Sequence, residues 1–338
     1  MDADDLELLR ATVRAALTGD GDADALLDEL GVTDLLGTED AGVAIVLEEL
    51  GRAARTSSLL DAVVLEALGL RTDDAIGVLY PLPSRGGRDR STAWRSDGGV
   101  PVAGLLRSNA TATHLLVVDR SAAAEWFAVV PAADLAVEET AGIDPDGGWR
   151  QVSGVVAAAD AAAVEPTRPW YVAMSAARAA LAAELLGLAR EMRDIAIRHV
   201  TTREQFGQPV ATFQTVRHRL AECHVDIAAA EAVLALVLSG DGGGSGVRDE
   251  DALVWAYAAK AAAGRAYETA ARHAIQVCGA MGLTWEHPLH RYVRRGMALN
   301  ALLGDVHELT ERIGLCIVAG AELPTFEPLV LPAAPAGA

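Results

Sequence analysis

The sequence predicts a mainly helical α+β protein with a helical N-terminal domain, a middle β-domain and a C-terminal four-helix bundle. Apolar residues recur at intervals of three and four at both ends of the chain, and short β-rich runs between turns occupy the middle. The expected bounds are 1–70, 71–164 and 165–322, followed by a tail at 323–338 without periodicity. At 338 residues the chain has room for two or three domains.

The N-terminal domain shows the helical period three times, from Leu6 to Leu17, from Val43 to Leu50 and from Leu60 to Leu68. The second stretch contains the carboxylate pair Glu48 and Glu49, which precedes Arg52 at helical spacing. Because oppositely charged side chains three or four residues apart can pair on a helix surface, we expect a solvated, salt-bridged face there.

The middle domain has no helical period. Its β-rich runs read IGVLY, HLLVVD and EWFAVV, and they alternate with Gly-, Pro- and Asp-rich turns such as DPDGG. This pattern predicts a compact β-domain.

The C-terminal domain contains four long helical segments. At about 1.5 Å per residue, each is long enough (~45 Å) for an antiparallel bundle. Breaks marked by glycine separate them. The predicted helices span roughly 169–201, 209–239, 249–279 and 289–319.

Composition excludes several classes of protein. Hydrophobic residues make up 51% and charged residues 22%, which excludes intrinsic disorder. The 28 basic residues face 47 acidic ones, and the resulting net charge of −19 argues against nucleic acid or an anionic membrane as partner.

The expected location is the cytoplasm. Three cysteines, an odd number, fit a reducing compartment, and the acidic start MDADDLELLR lacks the features of a secretory signal. No run of about 18 uncharged apolar residues occurs, so no membrane-spanning helix is expected. His218 and His224 stand six residues apart and Cys223 points elsewhere on the same helix, so no metal site is predicted.

Two loops between the long helices carry unusual residues. The first reads TREQFG and includes Arg203, whose planar guanidinium could bind a phosphate in bidentate fashion. The second reads QVCGAMG, and its glycines allow the backbone to approach a ligand closely. Taken separately, both loops could equally be ordinary helix C-caps.

Together these loops resemble two motifs of the acyl-CoA dehydrogenase family, RxQFG and QxxGGxG. Phe213 and Gln214 resemble a following FQ, and EELGRAA at 48–54 resembles an N-terminal helix of the family. Ala280 replaces the second glycine of QxxGGxG. The resemblance extends from about residue 40 to 315 and implies the family's three-domain fold.

The resemblance implies FAD as cofactor. In this family the flavin is shared between subunits: one holds the isoalloxazine, and its neighbour reaches across to the pyrophosphate and adenosine. The resemblance thereby assigns the following residues to FAD bound mainly by a partner: Arg203, Gln205, Phe206, Gln276 and Gly279.

The family's reaction is α,β-dehydrogenation of an acyl-CoA thioester, which requires a carboxylate base in one of two positions. By resemblance, the first falls on Ala177, followed by Arg178, and the second on Leu303. Neither residue is a carboxylate, so no catalytic residue is assigned to this chain. The family's flavin-receiving motifs are also missing between Leu70 and Val118.

The resulting hypothesis is a short, catalytically incomplete subunit of a heteromeric (α2β2) acyl-CoA dehydrogenase. A larger partner subunit would supply the base and the isoalloxazine pocket, and a steroid side-chain acyl-CoA is a candidate substrate. Two alternatives stay open: a homo-oligomeric flavoenzyme with Asp305 as an unusual base, and a non-catalytic scaffold subunit.

Overall fold

The computed structural model describes most of the chain, and its described residues confirm the predicted helical, β, helical succession. They are 1–70, 75–83, 92–95, 98–107, 112–121, 124–140, 142–239 and 249–321. The predicted tail and the glycine-rich break after the second long helix lie outside them.

The N-terminal helices are α1 (Ala3–Leu17), α2 (Ala23–Glu29), α3 (Asp40–Ala53) and α4 (Leu59–Leu68). Asp2 caps α1, because its side chain accepts a hydrogen bond of 2.9 Å from the backbone N–H of Asp5. Val13, Val46 and Val64 are fully buried, so the apolar stripes of these helices face a common core.

The prediction of a solvated face on α3 was wrong. Glu49 is 1% exposed and accepts hydrogen bonds from Arg14, and Glu48 pairs with Arg10 at 2.9 Å. Arg52 instead pairs across to Asp194 at 2.7 Å. Helical spacing alone could not reveal that α1 and a C-terminal helix cover this face of α3.

The described part of the middle domain contains seven strands in two sheets. One sheet has the order β1-β3-β4-β7 and the other β2-β6-β5; β1 and β3 are parallel, and the other pairs are antiparallel. Apolar side chains of both sheets, among them Leu115 and Val102, form one buried cluster. The strands are β1 (Ile76–Val78), β2 (Val100–Arg107), β3 (His114–Asp119), β4 (Trp126–Pro131), β5 (Ala136–Glu139), β6 (Trp149–Val156) and β7 (Ala162–Val164).

The C-terminal domain is a helical bundle in which the fourth predicted helix is interrupted. The chain turns over 302–305, where Leu303 (φ 57°) and Gly304 (φ 105°) adopt left-handed conformations and Asp305 starts a new helix. The described bundle therefore has five long helices instead of four, because no α-helix continues through such φ values. They are α5 (Trp170–Thr202), α6 (Gln214–Leu238), α7 (Asp249–Cys278), α8 (Leu289–Ala301) and α9 (Val306–Val318), and the hairpin β8 (Glu204–Gln205)–β9 (Gln208–Pro209) follows α5.

The helix α5 is the centre of the molecule. It is long and apolar enough to cross a bilayer, but 83% of its most apolar window is buried inside the protein, as in a core helix. It crosses α3 at very short range: a Cβ added to Gly187 would overlap the carbonyl oxygen of Glu48, and one added to Gly51 would overlap that of Glu184.

A buried ion pair joins the β-domain to α5. Arg107, at the end of β2, donates two hydrogen bonds to the carboxylate of Glu184, and both side chains are at most 2% exposed. This pair fixes the β-domain against α5 about two turns after Ala177, since each helical turn takes 3.6 residues.

Candidate functional site

The RxQFG residues form a tight hairpin that projects from the end of α5. Gln205 pairs with Gln208, and the two central residues, Phe206 (φ 56°) and Gly207 (φ 78°), both have positive φ. This combination is that of a type I′ turn, whose twist matches the two flanking strands. The Phe206 ring, braced edge-on by Phe213, is 92% exposed, and Arg203 and Gln205 are also exposed.

The QxxGG residues end α7 on a glycine. Gly279 has a φ of 64°, and a Cβ added to it would meet nothing within 4 Å. Gln276, in the last turn of α7, is exposed. The open space leaves the backbone at Gly279 accessible to a ligand, as expected where glycine replaces a side chain.

Both loops lie at the same end of the bundle. His199, four residues before Arg203, stacks edge-on against His287 with their ring centroids 6.0 Å apart, and His287 follows the second loop. Burial and the nearby Arg203 guanidinium lower the pKa of His199. An exposed guanidinium close to a sterically open backbone at Gly279 is an arrangement that can hold a dinucleotide phosphate.

The two predicted base positions are close together in space. Ala177 is fully buried on α5, and its neighbour Arg178 donates a hydrogen bond of 3.1 Å from Nε to the backbone oxygen of Leu303. The Arg178 guanidinium also lies 4.8 Å from the ring centroid of Tyr257. The region where the family's base would stand thus holds a buried arginine.

A second cation, missed by the sequence analysis, lies in the same region. Lys260 is fully buried on α7, and its Nζ donates hydrogen bonds to the backbone oxygens of Asn300 (3.0 Å) and Gly304 (2.5 Å). Burial, reinforced by the charge of Arg178, lowers the pKa of Lys260 to about 7. The sequence could have drawn attention to Lys260, because it is the only lysine in the chain and the other 27 basic residues are arginines.

Asp305, the alternative base, is the N-cap of α9. Its Oδ1 accepts a hydrogen bond of 2.9 Å from the backbone N–H of Glu308, and the residue is exposed. A cap of this kind satisfies one of the free N–H groups at a helix start.

An apolar cavity of about 340 Å³ lies between α3, α4 and α5. Neither Ala177 nor Leu303 lines it, and the five residues assigned to FAD do not line it either. The cavity nevertheless reaches Ala176, the residue next to Ala177. Its apolar lining includes Val43, Leu47, Val63, Ala67, Val172 and Ala176.

Comparison with known proteins relates the chain to acyl-CoA dehydrogenases. The family model described as "Acyl-CoA dehydrogenase, C-terminal domain" matches residues 170–313, from the start of α5 into α9. The acyl-CoA dehydrogenase IpdE2 of Mycobacterium tuberculosis is 27% identical over 320 residues, which cover 90% of each chain.

Two solved structures share the fold over nearly the whole length. A steroid acyl-CoA dehydrogenase, Tcur3481-Tcur3483 in its G363A variant, superimposes with a TM-score of 0.78 at 23% identity, covering 94% of this chain and 99% of the other. The ChsE4-ChsE5 complex of Mycobacterium tuberculosis superimposes with a TM-score of 0.74 at 21% identity, covering 96% and 100%.

Proposed function

Because the chain belongs to the acyl-CoA dehydrogenase family, we propose that it is the short, catalytically incomplete subunit of a heteromeric FAD-dependent acyl-CoA dehydrogenase. Members of this family use FAD. In our proposal a larger partner subunit, paired with this chain as α2β2, supplies the catalytic base and the isoalloxazine pocket. The substrate is an acyl-CoA.

The observation that carries this proposal is the chemistry at the base positions. A base must accept a proton from the α-carbon of the substrate, and neither Ala177 nor Leu303 has a group that can do so. Arg178 and Lys260 donate hydrogen bonds to backbone oxygens in and just before the turn at 302–305.

In this proposal the exposed loops complete the FAD site of the partner. Arg203 would bind the pyrophosphate, and Gln205, Phe206, Gln276 and the backbone of Gly279 would contact the rest of the dinucleotide. The chemistry that bound FAD supplies in this family is oxidation of the Cα–Cβ bond of an acyl-CoA thioester. In a chain of net charge −19, a dianionic pyrophosphate requires a local guanidinium to offset the repulsion.

A bulky steroid side-chain acyl-CoA is the substrate class that we propose. Support comes from the steroid acyl-CoA dehydrogenase with which this chain shares its fold. We also propose a cytoplasmic location, since the three cysteines fit a reducing compartment.

The test is co-expression with a full-length acyl-CoA dehydrogenase homologue, followed by quantitation of flavin per chain. We expect one FAD for each pair of unlike chains, and activity only in the pair. Purification of this chain alone as a yellow, active homo-oligomer would refute the proposal.

Arg203→Ala in the assembled complex distinguishes the scaffold alternative from the proposed role in FAD binding. If the TREQFG loop binds FAD, this variant loses flavin, because the pyrophosphate loses its bidentate partner. Arg198→Ala is the matched control: Arg198 lies on the same helix end and pairs with Glu191 at 2.7 Å. Full flavin occupancy in Arg203→Ala would favour a scaffold.

The Asp305 alternative is tested by Asp305→Asn. Asparagine caps a helix about as well as aspartate, so α9 should keep its start while the carboxylate is lost. Unchanged turnover in the assembled protein would eliminate Asp305 as the base.

A further inference from the structure

We propose that His199, Cys278 and His287 form a binding site for a divalent transition metal ion of the zinc class. One ring nitrogen from each histidine and the Sγ of Cys278 all lie within 4.8 Å of one another. These residues come from three separate segments: the end of α5, the end of α7 and the stretch before α8. The cysteine is buried and the histidines are half-buried.

The donor set is the one that zinc prefers. Imidazole nitrogen and thiolate sulfur bind Zn²⁺ at about 2.0–2.3 Å, and a tetrahedral site places neighbouring ligand atoms ~3.5 Å apart. Starting from separations of up to 4.8 Å, the three atoms therefore need to approach one another by at most roughly 1.3 Å, a shift within reach of side-chain rotations. Three protein ligands leave the fourth position open to water or an added ligand.

The protonation states of the two histidines favour metal binding, whereas that of the cysteine opposes it. Burial lowers the pKa of both His199 and His287, so both rings are neutral near pH 7, as metal ligation requires. Burial raises the pKa of Cys278 to about 11, so the bound ion must displace the thiol proton, and one H⁺ is released per ion. The thiolate that forms offsets the repulsion between the ion and the nearby Arg203.

One existing contact would be lost on binding. The backbone N–H of Leu289 donates to Nδ1 of His287 at 3.3 Å, near the long limit for such a bond. Either ring nitrogen of His287 can bind the metal only if this contact is given up, because Nδ1 then carries the proton or the ion.

The site lies at the base of both exposed loops. His199 precedes Arg203 by four residues, and Cys278 immediately precedes Gly279. A bound ion would tie together the ends of α5 and α7 from which the loops project. This consequence for the loops rests on the proposed function, but metal binding itself does not, because it requires neither FAD nor a partner.

The experiment uses the full chain, stripped of metal with a chelator and titrated with Co²⁺ as a spectroscopic probe for Zn²⁺. We expect one Co²⁺ per chain, visible bands of a tetrahedral ion, a thiolate-to-cobalt charge-transfer band and displacement by Zn²⁺. Calorimetry in buffers of different ionisation enthalpy should detect one proton released per ion.

Cys278→Ser should abolish the charge-transfer band, while Cys223→Ser should keep it, since Cys223 is an equally buried thiol on α6. His287→Ala should weaken binding at least about 10–100-fold, because even changes outside the ligand set cost that much. Circular dichroism confirms that each variant is folded, and the half-buried His287 provides the variant least dependent on packing. Absence of Co²⁺ binding, binding without the charge-transfer band, or equal affinity in Cys278→Ser and the unchanged chain would overturn the proposal.

Discussion

Arg178 donates a hydrogen bond from its Nε to the backbone oxygen of Leu303 at 3.1 Å. The bond joins the residue beside one expected base position to the residue that occupies the other. Lys260 binds the same turn through the backbone oxygen of Gly304. Beside the two positions to which the resemblance assigns a carboxylate base, this chain therefore has Arg178 and Lys260, which hold a turn in place.

Lys260→Met should change the pH dependence of stability. The pKa of Lys260 falls from 10.5 in the unfolded chain to about 7 in the folded protein, so between these values only the unfolded chain binds the proton. The free energy of unfolding should consequently rise as pH increases from about 7 to 10. Lys260→Met should lack this rise and carry a pH-independent loss from the two unpaired backbone oxygens.

Urea titrations of both proteins at several pH values provide the measurement. The difference between the proteins isolates Lys260, because the buried cysteines Cys223 and Cys278 titrate in both. Parallel curves for the two proteins across this pH range would contradict the assignment. A neutral lysine amine has two N–H groups, one for each of its two backbone acceptors. Arginine cannot lose its charge, so it could not become neutral in this buried position. This difference accounts for a lysine here.

The single lysine also makes chemical labelling decisive. With an amine-reactive reagent, the native chain should be labelled at its N-terminal amino group and not at Lys260, because Nζ is fully buried. Unfolding in urea should add a second label. Mass spectrometry counts the labels, and rapid labelling of Lys260 in the native chain would show that the turn at 302–305 is open in solution.

Glu184→Gln should destabilise the protein by about 3–5 kcal/mol, because it leaves the charge of Arg107 buried without its partner. Glu308→Gln is the matched control: its partner Arg312 lies one helical turn away on the partly exposed α9, and such pairs contribute about 0.5 kcal/mol or less. Chemical denaturation of both variants checks the contrast. Equal losses would mean that burial of the Arg107–Glu184 pair has no energetic effect.

Gly187→Ala should be destabilising by about 1–3 kcal/mol or more, because its Cβ would overlap the Glu48 carbonyl oxygen and push α3 away from α5. Gly314→Ala should instead stabilise the protein. Gly314 is an exposed residue within α9, with nothing near an added Cβ, so alanine gains about 0.5–1 kcal/mol of helix propensity. Thermal unfolding of the two variants gives the comparison, and a neutral Gly187→Ala would argue against the close helix crossing.

The sequence alone determined the order of the domains and the two exposed loops, because both follow from local signals. Helical and strand periods differ along the chain, and Phe206-Gly207 and Gly279 occur where the backbone takes positive φ. The interruption of the last predicted helix escaped this reasoning, since leucine at 303 gives no local sign of a left-handed turn.

Only the tertiary structure decided which side chains meet. Glu49 is shielded from solvent because α1 covers it. Lys260 binds a turn 44 residues away in the sequence. His199, Cys278 and His287 come together from three segments. Periodicity reports which face of a helix is apolar, but it does not say which helix covers that face. Contacts between distant segments depend on how whole elements pack, so the burial of charge and the convergence of metal-binding side chains appear only in three dimensions.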